Sequence, residues 1–180
     1  MLDDATLHEI QQALPTLVQA ALEQPVPPDV AERRLAQALA LARLADRLAS
    51  EPPERALPLL DEGLRAATRG ERLGELPAVR ELLGRLRERT CELLRAGLPL
   101  AIAVETALRE FFDELRKLLG VLAAGAVAAA VAPGLAKLVL AALVAYLVAE
   151  LYQAITAGLC GPLPVPPSPL PPQPRPAPGD

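Results

Sequence analysis

Along most of the first 117 positions, apolar residues recur at three- and four-residue spacing, which places them on one face of an α-helix. Leu7, Ile10, Leu14, Leu17, Val18, Ala21 and Leu22 trace the first such face. Thr6 followed by Glu9 has the form of a capping box, so this helix is predicted to start near Asp4 or Thr6. Pro15 has no N–H and crowds the preceding turn, which predicts a kink or a split, and Pro25-Val26-Pro27-Pro28 predicts the stop. A second face, with Leu35, Ala38, Leu41, Ala42, Ala45 and Leu48, lies between Val30 and Ala49, capped by Asp29 with Glu32. After Ser50 a weaker third helix carries Leu57, Leu60 and Leu64 to about Arg69, despite Pro58 and Gly63. Leu44, Ala45 and Leu48, with Glu54, Arg55, Ala56 and Leu60, resemble one tetratricopeptide hairpin. No second copy follows at the repeat period, and the resemblance implies no function.

The stretch from Gly70 to Pro77 reads as a hinge between two groups of helices. Val79, Leu82, Leu83, Leu86, Leu93 and Leu94 then define a long amphipathic helix closed by Gly97 and Pro99. Val104, Leu108, Phe111, Leu115, Leu118 and Leu119 form one further face, with Glu105 and Arg109 as a favourable i,i+4 pair.

The character then changes. No charge occurs from Leu118 to Ala136, or again from Leu138 to Ala149. Residues 118–160 are predicted to form an apolar helical hairpin that turns at Pro133 and Gly134. Each arm is near the ~20 residues that cross a bilayer. Gly120, Ala124, Ala128 and Ala132 give the first arm a smooth helix-packing stripe. Residues 161–180 are dominated by proline and are predicted to be a disordered, extended tail. The expected organisation is therefore helical hairpins over 1–70, amphipathic helices over 71–117, the apolar hairpin over 118–160, and the tail.

Composition agrees with an all-α fold, an amphipathic helical bundle with that apolar C-terminal hairpin. Of the 180 residues, 52% are apolar but only 2% aromatic, so Ala, Leu and Val carry the apolar mass. The net charge of −4 is spread over interleaved acids and bases, and base-stacking aromatics are nearly absent, so nucleic acid is not an expected partner.

No catalytic constellation is legible, and the chain is expected not to be an enzyme. His8, in the first turn of a helix, reads as a surface residue. Cys91 and Cys160 have no metal-ligand spacing and read as unpaired buried thiols. Glu150 reads as a marker of the end of a span. No cofactor, metal or small-molecule substrate is implied. The tail's P-x-x-P spacings match ligands of aromatic grooves, although any proline-dense segment generates them.

The leading expectation is a membrane-associated helical protein, anchoring or pore-forming, that presents its helices to a protein partner or to itself. A lipid bilayer would hold residues 118–159, and an acidic start without a signal-like core places the N-terminus in the cytoplasm. The alternative is a soluble, cytoplasmic helical adaptor or oligomerisation domain in which the same residues form the core. A third version joins the two: helices that sheathe the apolar hairpin and release it into a membrane on activation.

Overall fold

The structure, a computed structural model, describes residues 4–50, 52–55, 58–62, 65, 72–123 and 133–163. It is all-α, with no strand among the described residues. The long helices are α1 (Asp4–Glu23), α2 (Pro28–Ser50), α3 (Pro77–Arg95), α4 (Leu100–Glu110), α5 (Phe112–Ala123) and α6 (Pro133–Thr156). Short 3-10 turns occupy Pro53–Arg55 and Leu73–Glu75. Residues 58–62 and 65, in the expected third helix, are also helical.

Three places bear on the sequence pattern. Pro15 lies inside a continuous α1. Its neighbours Leu14 and Val18 are fully buried, and their tertiary contacts hold the helix across the missing hydrogen bond. The single face expected from Val104 to Leu119 is divided at Phe111, whose non-helical backbone ends α4 before α5 begins. In the described part of the expected hinge, residues 72–77, the chain packs against its neighbours. Leu73 is buried in the main core and the Gly74 N–H donates to Glu32 Oε1 at 2.8 Å, which docks this turn against α2.

Helix α6 organises the rest. Unlike α3, whose buried residues occupy one face, α6 is apolar all round, which suits an interior helix or a membrane span. In this fold α1, α2 and α3 pack on it. Val139, Leu140, Leu143, Val144, Leu147 and Leu151 are buried there, in one core with Leu14 and Val18 of α1, Leu35 and Leu39 of α2 and Leu86 of α3. Each Leu so buried contributes roughly 1.5–3 kcal/mol. Helix α4 packs on α1 and α3, and α5 leans on α2, α3 and α4. Surface ion pairs tie neighbours together: Arg89 of α3 grips both carboxylate oxygens of Glu110 at 2.6 and 2.9 Å and holds that carboxyl below the usual range. The Glu105–Arg109 pair forms at 2.9 Å.

Both α3 and α6 end in the same way. Gly97 and Gly158 adopt positive φ, and the following N–H reaches back five residues, Leu98 to the Leu93 carbonyl and Leu159 to the Ala154 carbonyl. The C-terminal turn of one helix and the cap of the other lie side by side. Cys91 and Cys160 are joined there in a disulfide, with Cα atoms 5.1 Å apart. This corrects the expectation of two unpaired thiols. A separation of 69 residues conceals the pair in the sequence, and the contact of α3 with α6 creates it. Arg95 closes the corner by donating to the Cys160 carbonyl at 3.0 Å.

Candidate functional site

Two features of α6 go beyond packing. The first is a polar cluster at the edge of the core, in which a buried tyrosine meets half-buried charged groups. Tyr146 is 1% exposed and is among the largest fully buried side chains. Its hydroxyl lies among Glu150 of the next turn, Glu32 of α2 and Gly74 of the docked turn. Burial, reinforced by the Glu150 and Glu32 carboxylates, pushes the phenol's ionisation well above its usual range. Arg87 of α3 reaches Glu150 at 3.1 Å, so the carboxylate expected to mark the end of a span instead joins α6 to α3. The cluster sets the register of α6 against its neighbours.

The second feature is a groove. Ala20 and Ala21 of α1, Ala31 and Ala38 of α2, and Ala142 and Ala145 of α6 face one another across it. Helix axes sit roughly 8–10 Å apart according to the side chains between them, and methyl groups alone do not fill that space. A cavity of about 540 Å³ results, open to solvent. Leu17, Leu41 and Leu138 extend its apolar wall, and Arg34, Gln24 and Gln37 are its polar lining. Arg34 makes no ion pair or hydrogen bond among the described residues, whereas Arg33 beside it is bound to Asp29 at 3.2 Å.

The residues singled out from the sequence do not converge on either feature. Gly120 is exposed on α5, facing open space. Ala124, Ala128 and Ala132 lie outside the described residues. Pro133 and Gly134, expected as the hairpin turn, are the first two residues of α6. His8 is exposed and bonded to Gln12 at 2.9 Å. No group of His, Cys, Asp or Glu among the described residues could hold a metal ion. The groove itself left a signal in α2, where Ala31, Arg34, Ala38 and Leu41 share one stripe and a cation interrupts an apolar row.

Comparison with protein families, with curated proteins and with solved structures finds no match.

Proposed function

We propose that the protein is a soluble, non-enzymatic helical binding protein whose apolar C-terminal helix is its own core, and whose α1–α2–α6 groove is the binding surface. The observation that carries this reading is the burial of α6 by three helices, with a polar cluster built into that contact. A span in standing contact with lipid has no use for Tyr146, Glu150 and Arg87 at the interface with an amphipathic neighbour. The disulfide favours an oxidising compartment over the cytoplasm suggested by the N-terminal sequence. The proline-rich tail expected over residues 161–180 lies, beyond Leu163, outside the described residues.

A membrane role has one observation in its favour. Lys137–Thr156 is long and apolar enough to cross a bilayer, and half of its most apolar window is not buried. In that reading the sheathing helices release α6 on activation. One fractionation separates the two. The full chain, expressed without detergent, is expected to run as a single soluble species and to be extracted from membranes by carbonate. Carbonate-resistant pelleting that is lost on deleting residues 118–159 would transfer the reading to the membrane.

A further inference from the structure

We propose that the groove takes a single aliphatic chain with an anionic head group, the chemistry of a free fatty acid, and that Arg34 receives the head. The inference rests on reading the groove as the binding surface and names its ligand.

The shape favours a chain. Along α6 the groove runs from Leu138 to Ala149, about 16 Å of helical rise. Its volume of about 540 Å³ is in the range of small-molecule sites. Ala142, Ala145, Leu17 and Leu41 present only hydrocarbon, so the body of the ligand must be apolar.

Charge fixes the head. Arg34 is the one charged residue lining the groove, and it has no partner among the described residues. Its planar guanidinium can meet a carboxylate with two hydrogen bonds.

Macromolecular occupants fit less well. A partner helix or a second copy of the chain needs roughly 800 Å² per side, far more than the lining of this groove exposes. The chain's own P-x-x-P segments require an aromatic-lined groove, and no aromatic residue lines this one.

The test is isothermal titration of the full chain in detergent-free buffer with dodecanoate and dodecanol, which share a chain and differ in the head. One dodecanoate is expected to bind per chain, about tenfold tighter than dodecanol, the size of the one charge-assisted hydrogen bond that the carboxylate makes beyond what a hydroxyl can. Arg34→Gln is expected to weaken dodecanoate binding far more than dodecanol binding and so to remove that advantage. Ala145→Phe, at an exposed position in the groove wall, is expected to weaken both probes at least tenfold, with circular dichroism verifying that helix content is kept. Equal affinity for the two probes, both blocked by Ala145→Phe, would overturn the anionic head and leave the groove as a binding surface. Binding that neither substitution alters would overturn the proposal by placing the ligand elsewhere. No saturable binding by a folded chain would overturn both the ligand and the binding reading.

Discussion

At the residue scale, Gly74 and Tyr146 are matched in size. A Cβ on Gly74 would meet the Tyr146 hydroxyl at 2.7 Å, on a side chain that is fully buried. Gly74→Ala is therefore expected to cost about 1–3 kcal/mol, and well under half of that in a Tyr146→Phe background; urea unfolding of the four chains measures both. The same hydroxyl gives a pH signature. An unfolded tyrosine ionises near pH 10, whereas Tyr146 in the folded chain holds its proton to higher pH. Its contribution is complete below about pH 10 and is lost as pH rises beyond that, so Tyr146→Phe should flatten the alkaline fall in stability. Thr90 offers a change in the opposite direction. It is fully buried, and its hydroxyl has no partner among the described residues, so Thr90→Val should raise stability by about 1 kcal/mol. None of these pairings is legible in sequence. Glu32 reads locally as a helix cap and Glu150 as a boundary, because the partners that redirect them, Gly74 and Arg87, are 42 and 63 residues away.

At the scale of elements, periodicity located most helices, since a face of Leu, Val and Ala at helical spacing has few alternative structures. It failed where tertiary contacts overrule local preference, as at Phe111, where an unbroken apolar face conceals the end of one helix and the start of the next. Helix α6 gives the sharpest contrast between its two readings. Leu143 is fully buried whereas Leu138 is 48% exposed. Leu143→Ala should cost about 2–5 kcal/mol and Leu138→Ala less than about 1 kcal/mol by chemical denaturation. In lipid the two leucines would count alike. The disulfide adds its own share by closing a 69-residue loop, so reduction, or Cys91→Ser with Cys160→Ser, should lower stability by about 4 kcal/mol.

For the whole molecule, the sequence contained the right apolar tract but not its surroundings. Alanine- and leucine-rich runs are compatible with lipid and with a protein interior alike. Only the arrangement of α1, α2 and α3 around α6 distinguishes them. The groove follows from the same composition, since the alanines that let helices approach also leave the trough between them. Amide hydrogen exchange on the full chain in detergent-free buffer tests the central claim, that α6 is sheltered by its own neighbours. The account predicts that amides from Val139 to Leu151 exchange among the slowest in the protein and are unchanged by added phospholipid vesicles. Rapid exchange of α6 in buffer, slowed only once vesicles are present, would contradict it.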